Sequence, residues 1–268
     1  MRSHFFLIIA LPALLASCGE KKTSESERPV DSLAISYTVL KTLPHNPDAF
    51  TEGLTIQDNK VFESTGQHGT SWVAEVDPGS GTHDKKVILD RQYFGEGMTI
   101  LNNKMYYLTW QTKIGFIYDA KTYKQIGEFK YDTEGWGLTH NNKELIMSAG
   151  TEKLYFLDTT NLAVTRTLTV TYQGEKMKNL NELEYVDGYV FANVYETNRI
   201  VKIDLSNGKV VGRLDLSALA DEIKRMYPNA LELNGIAYDK NSKAFLITGK
   251  NWPKTYLIRL QSSEITGS

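Results

Sequence analysis

The chain has 268 residues, 41% hydrophobic and 23% charged, with a formal net charge of -2, so no surplus of Lys and Arg is available to neutralise phosphates. That excludes a nucleic-acid partner. Cys18 is the single cysteine, which removes a disulfide framework, a second thiol for chemistry and a Cys-rich metal site, and leaves the fold to rest on its apolar core.

In chain order, Arg2 precedes an apolar run from Phe5 to Leu15, then Leu15-Ala16-Ser17-Cys18 and a polar stretch. The run is too short for a permanent membrane span and reads as a cleaved signal peptide over 1–17. Small residues before a cysteine resemble the lipobox of bacterial lipoproteins, so Cys18 is expected to be lipidated and to become the mature N-terminus. The membrane is then reached only through that lipid. Gly19, where an aspartate would mark inner-membrane retention, favours an outer-membrane anchor in the periplasm, or display at the cell surface. Residues 18–34, polar and free of aromatics, read as a flexible tether. Residues 35–268 are the expected folded domain.

From residue 70 a pattern recurs in which apolar and polar residues alternate, end at aspartate and meet turn chemistry. It occurs as Trp72-Val73-Ala74-Glu75-Val76-Asp77, Gly115-Phe116-Ile117-Tyr118-Asp119, Leu154-Tyr155-Phe156-Leu157-Asp158 and Ile200-Val201-Lys202-Ile203-Asp204, the aspartates 42, 39 and 46 residues apart. These aspartates are assigned to turn capping. An upstream anchor keeps the same period: Glu52-Gly53-Leu54, Glu96-Gly97-Met98, Trp136-Gly137-Leu138, Glu182-Leu183-Glu184 and Gly235-Ile236-Ala237. Four short strands per repeat, five times over, predict an all-β, five-bladed β-propeller. After Tyr256-Leu257-Ile258-Arg259-Leu260 only eight residues remain, too few for the last fourth strand. Val39-Leu40-Lys41-Thr42-Leu43 is expected to supply it and so close the ring. Between Ser217 and Tyr227, with Ser217 as cap and Leu219, Ile223 and Met226 on one face, a short helix is predicted before the last blade, stopped by Pro228. A closed propeller is expected to be a monomer.

Common catalytic constellations are missing. His4, His45, His68, His83 and His140 show no paired ligand spacing, and neither a Gly-x-Ser-x-Gly elbow nor a Gly-rich phosphate loop is present. What remains is carboxylate, amide, lysine and aromatic chemistry. The five anchors are candidates for inner-strand starts lining one channel, and they carry Phe50, Glu52, Phe94, Glu96, Trp136, Asn181, Glu182 and Asn234, with Trp110 and Lys250 at the ends of following strands. Such a ring can form a pocket for a small substrate.

Six segments in order carry a family resemblance: Asp48-Ala49-Phe50-Thr51-Glu52-Gly53-Leu54, Tyr93-Phe94-Gly95-Glu96-Gly97, Gly135-Trp136-Gly137-Leu138, Leu180-Asn181-Glu182-Leu183-Glu184-Tyr185, Leu233-Asn234-Gly235-Ile236-Ala237 and Thr248-Gly249-Lys250-Asn251-Trp252-Pro253-Lys254. Together they resemble the plant-type glutaminyl-peptide cyclotransferases, acyltransferases built as five-bladed propellers without catalytic zinc. The resemblance implies that N-terminal glutamine of peptides is the substrate, that Glu96 is the acid/base, and that Lys250 stabilises charge on the amide oxygen or tunes Glu96. It implies further that Asn181 bonds the substrate amide or amine, and that Phe94, Trp110 and Trp136 wall the pocket, with Phe50, Glu52, Tyr195 and Asn234 as further substrate contacts. Glu52 stands where glutamine is expected in many relatives, and Tyr195 where tryptophan is expected. No cofactor is implied for catalysis, with a structural cation such as calcium in the channel left open. The competing reading is a non-catalytic propeller that binds a peptide or glycan at the cell surface.

Overall fold

The computed structural model describes residues 32–261. The leader, Cys18 and the tether as far as residue 31 lie outside them. Strand β1 (Tyr37–Pro44) precedes a first antiparallel sheet of β2 (Thr51–Gln57), β3 (Lys60–Thr65), β4 (Trp72–Val76) and β5 (His83–Ile88). The second sheet holds β6 (Gly95–Leu101), β7 (Lys104–Thr109), β8 (Ile114–Asp119) and β9 (Gln125–Lys130). The third holds β10 (Leu138–His140), β11 (Glu144–Met147), β12 (Lys153–Asp158) and β13 (Val164–Thr169), followed by a two-stranded ribbon of β14 (Thr171–Tyr172) and β15 (Glu175–Lys176). The fourth holds β16 (Leu180–Val186), β17 (Tyr189–Val194), β18 (Arg199–Asp204) and β19 (Val210–Asp215), and helix α1 (Ser217–Met226) leads to the fifth. That sheet is β20 (Leu233–Asp239), β21 (Ala244–Gly249) and β22 (Lys254–Leu260), completed by β1.

Strand β1 lies antiparallel to β22, with Val39 opposite Ile258 and Leu43 opposite Thr255, so the N-terminal strand is the missing fourth strand of the last blade. The ring is thereby closed, and blade five loses the free edge it would otherwise present. Pairing begins before β1: the Arg213 amide donates to Leu33 O at 2.6 Å and the Ile35 amide to Arg213 O at 2.8 Å, so the last residues assigned to the tether are already fastened beside β19.

Exposure runs from the axis outward. All of β6 is buried, whereas β13 is mostly exposed. Inner strands are covered on both faces because they also meet one another: β2 touches β6 and β20, β10 touches β6 and β16, and β16 touches β20, a closed cycle around one axis. The apolar core is divided among the seams, as in the layer of Phe62, Val73, Met98 and Tyr107 between blades one and two. The recurring aspartates cap turns as expected: Asp119 Oδ1 accepts from the amides of Lys121 and Thr122, and Asp158 Oδ1 from those of Thr160 and Asn161.

Helix α1 departs from its expected details. Leu216 holds the cap position with no side-chain cap, while Ser217 is already helical and gives its amide to Asp215 Oδ1 at 3.0 Å. Leu219 and Ile223 are buried as expected, but Ala220 joins them and Met226 is exposed, because the last turn runs past the seam it covers.

Candidate active site

In an antiparallel pair the start of one strand faces the end of the next. The ends of each second strand therefore come to the same mouth of the channel as the starts of the inner strands. Past the strands the pairing continues from blade to blade, with the Gly66 amide on Phe50 O, Trp110 on Phe94 O, Tyr195 on Asn179 O and Lys250 on Glu232 O. This repeat brings Phe50, Phe94, Trp110, Tyr195 and Lys250, five residues distant in sequence, to one rim. At Gly66 a Cβ would stand 2.4 Å from the Phe94 ring, so only glycine leaves that ring its place.

Register shifts do the finer aiming. Between Thr51 and Gly53, Gly95 and Met98, Leu180 and Leu183, and Leu233 and Ile236, the inner strand carries one more residue than its partner. Bulges of this kind turn a side chain out of the regular alternation. The residues in them are Glu52, Glu96, Asn181 and Asn234, with Glu182 beside Asn181. Gly235, at a φ of +122°, is the residue that permits the last bulge.

At the centre, Lys250 Nζ lies 2.8 Å from Glu52 Oε1, and Asn234 Nδ2 donates to Glu52 Oε2 at 3.1 Å. Burial pushes Glu52 up to about 7 against the pull of Lys250. The carboxylate of Glu96, a residue 6% exposed, has no hydrogen-bond donor among the described residues; burial, then the neighbouring Glu52 charge, raise it well above the usual range, with Lys250 pulling the other way. Burial disfavours the Lys250 ammonium, but Glu52 and Glu96 outweigh it and hold the lysine protonated. One ammonium beside two carboxylates is bonded to Glu52, and the surroundings of Glu96 favour its protonated form. The buried Oδ1 atoms of Asn181 and Asn234 have no partner among the described residues, which leaves acceptors for a ligand's N–H groups.

The aromatic residues form the wall. Phe94 packs edge-on against Phe50 with ring centres 6.1 Å apart and lies tilted against Trp110 at 5.5 Å, while Trp136 meets Tyr195 at 5.3 Å. Lys250 Nζ sits 4.6 Å over Phe50 and 5.7 Å from the Tyr195 ring centre. The structure therefore assembles the expected set. Sequence reasoning missed Glu134, whose carboxylate accepts from both indoles and which belongs to no repeated motif. It named Glu182 only as part of the ring: Glu182 accepts the amides of Leu54 at 3.1 Å and Ile236 at 2.8 Å, tying together the strands that carry Glu52 and Asn234.

A second buried cluster was invisible in the spacing of the histidines. His45, Glu63 and His83 each offer a ligand atom within 4.8 Å of the others, so they could chelate a metal ion. They come from three segments, which is why no sequence pattern reveals them. Two imidazoles and one carboxylate suit a zinc-type ion better than calcium, which prefers oxygen ligands. Hydrogen bonds hold Glu63 within the cluster without an ion, while the buried His83 Nδ1 has no partner among the described residues. Glu63 Oε1 accepts from Thr51 Oγ1 at 2.6 Å and lies 3.0 Å from His45 Nε2, and His83 Nε2 lies 2.6 Å from Glu63 Oε2. His45 Nδ1 faces Trp252 O at 2.5 Å, so both its nitrogens meet acceptors, an arrangement that favours the imidazolium and raises the ring above its ordinary range. A cavity of about 690 Å³ opens at the opposite ends of the inner strands, lined by groups such as Asp58, Asn142, Glu184 and Lys240. Its lining includes Glu184, which burial pushes up to about 8 while Lys240 pulls the other way, but none of the unpartnered buried amide oxygens that Asn181 and Asn234 turn toward the Glu96 end, so the chemistry favours the Glu96 end.

Comparison with known proteins places the chain in a family. Residues 9–260 match the family described as glutamine cyclotransferase. The chain is similar to a glutaminyl-peptide cyclotransferase of Arabidopsis thaliana, 38% identical over 228 residues that cover 84% of this chain and 71% of the relative. It is also similar to the crystal structure of Myxococcus xanthus glutaminyl cyclase, at 29% identity and a TM-score of 0.78, covering 86% of this chain and 99% of that one.

Proposed function

The chain belongs to the glutamine cyclotransferase family, and from that premise we propose how its channel mouth performs the reaction. The protein is an enzyme that converts an N-terminal glutamine of a peptide to pyroglutamate with release of ammonia, and the reading as a non-catalytic propeller is set aside. The observation that carries the mechanism is Glu96, set in a bulge of the inner strand, where burial and the neighbouring Glu52 charge raise its carboxyl well above the usual range beside the Glu52–Lys250 pair.

The α-amine nitrogen of glutamine attacks its own side-chain amide carbon. A carbon–nitrogen bond forms and closes a five-membered lactam, the bond to the amide nitrogen breaks, and ammonia leaves. Both partners belong to one residue, so holding the folded rotamer removes most of the entropic barrier. Glu96 passes its proton to the departing nitrogen and recovers one from the attacking nitrogen, ending as it began. Lys250, bonded to Glu52, decides which carboxylate keeps the proton and favours negative charge developing on the amide oxygen. The free Oδ1 of Asn181 accepts from the substrate amide or amine, and Asn234 holds Glu52 in place. Phe50, Phe94, Trp110, Trp136 and Tyr195 exclude water around the amine.

A cation, calcium included, has no part in these steps; an ion held by His45, Glu63 and His83 would fasten blade one to the closing blade. We propose as well that Cys18 is lipidated and tethers a monomeric propeller to a bacterial membrane on its exported side, on the strength of the Leu15-Ala16-Ser17-Cys18 segment and the polar stretch after it. The test of function is to incubate the purified protein with a dipeptide carrying N-terminal glutamine and follow ammonia. Release well above the spontaneous rate is expected, and none when the α-amine is acetylated. Folded protein without turnover would sink the proposal.

A further inference from the structure

The wall of the active site is a chain of contacts with one gap. Phe50 meets Phe94, Phe94 meets Trp110, and on the other side Trp136 meets Tyr195. The Lys250 ammonium joins Tyr195 to Phe50 by lying near both rings. Between Trp110 and Trp136 no ring contact closes the circuit. There a single carboxylate oxygen, Glu134 Oε2, accepts from Trp110 Nε1 at 2.8 Å and from Trp136 Nε1 at 3.0 Å, while Glu134 Oε1 accepts from Gln111 Nε2 at 3.2 Å.

We infer that Glu134 is a positioning residue that closes this aromatic collar, locking the two indoles as facing walls and thereby setting how tightly the N-terminal glutamine is gripped. The inference deepens the cyclisation reading and rests on it. Each indole has one donor, and both donors go to the same atom, so the two rings cannot turn independently. Hydrogen bonds to an ionised acceptor are roughly twice as strong as neutral ones. Glu134 is suited to that state: burial alone would raise its carboxyl, but the bonds from Trp136, Trp110 and Gln111 prevail and hold it below the ordinary range. The collar then has a cation at one joint, Lys250, and an anion at the joint that the rings leave open. Glu134 touches no reacting atom in this scheme. Its loss should loosen the walls, acting on substrate binding before chemistry.

The experiment compares Glu134→Ala and Glu134→Gln with the unaltered protein, by steady-state ammonia release and by the indole N–H resonances of the four tryptophans. Glu134→Ala is expected to raise KM by about tenfold or more, the scale of losing a charge-assisted bond, with kcat changed less than about threefold. Two of the four indole signals should move. Glu134→Gln, which keeps an acceptor oxygen but loses the charge, should recover part of both effects. A KM within about twofold of the unaltered protein, or unmoved indole signals, overturns the inference. So does a fall in kcat alone accompanied by a lower melting temperature, the mark of a merely structural residue. If the unaltered protein releases no ammonia, the cyclisation reading fails by itself, and the indole signals still decide whether Glu134 locks the walls.

Discussion

Glu63 and Glu96 are both interior carboxylates, one at the junction of blade one with the closing blade and the other at the channel mouth, yet burial leaves them in opposite states. Glu63 is pushed up by burial but receives His45, His83 and Thr51, and the two histidines bring it down to about 2. The Glu96 carboxylate is also buried and has no donor among the described residues, so it is raised. The difference lies in the company each side chain is given, and it separates a carboxylate that fastens the ring from one that can lend a proton.

That contrast predicts different damage from similar changes. Glu63→Gln leaves His45 as a buried cation without its counter-charge, and should cost about 3–5 kcal/mol of stability, read by denaturant unfolding, while the remaining folded protein keeps its turnover. A loss of activity without a loss of stability would blur the distinction. Lys250→Met should act the other way round, lowering the rate by about 10²–10³ through loss of charge stabilisation, with unfolding changed far less. A rate within about fivefold of the unaltered protein would remove Lys250 from the chemistry.

The same contrast sets the smaller, pH-dependent effect. Glu63 lies below its unfolded value, so its contribution is complete above about pH 5 and is lost as pH falls toward 2. Glu52 at about 7 and Glu184 at about 8 lie above theirs, so stability is lost as pH rises from near 4.5 through those values. His45 is disfavoured as a cation by burial but raised by Glu63, and its contribution is likewise present at low pH and lost as pH rises. The melting temperature should therefore be higher near pH 5 than at pH 8 or pH 2.5. A midpoint that climbs steadily from pH 5 to pH 8 would contradict the assignment of the channel carboxylates.

Much of the fold is legible in the chain because a propeller repeats its pattern. The alternation ending at Asp77, Asp119, Asp158 and Asp204 marks third strands, and the shortage of residues after Leu260 points to Val39–Leu43 as the closing strand. The site is legible only where it coincides with a repeat. Glu52, Glu96, Asn181 and Asn234 fall at equivalent anchors, but the bulges that aim them depend on pairing between strands, which alternation along one strand does not encode. Glu134 and the His45, Glu63 and His83 cluster themselves stand outside the anchors and depend on contacts between segments. Helix α1 was found by its apolar spacing, whereas its cap was misplaced by one residue because Asp215, ahead of it, takes the Ser217 amide.

The claim on which the account turns is that Glu96 carries the proton. Ammonia release from a peptide with N-terminal glutamine, measured at saturating substrate for Glu96→Gln beside the unaltered protein, tests it most directly. The account predicts a rate lower by about 10²–10⁴ with the variant folded, since the amide neither donates a proton as an acid nor recovers one. A variant that keeps its rate within about threefold would show that another group moves the proton.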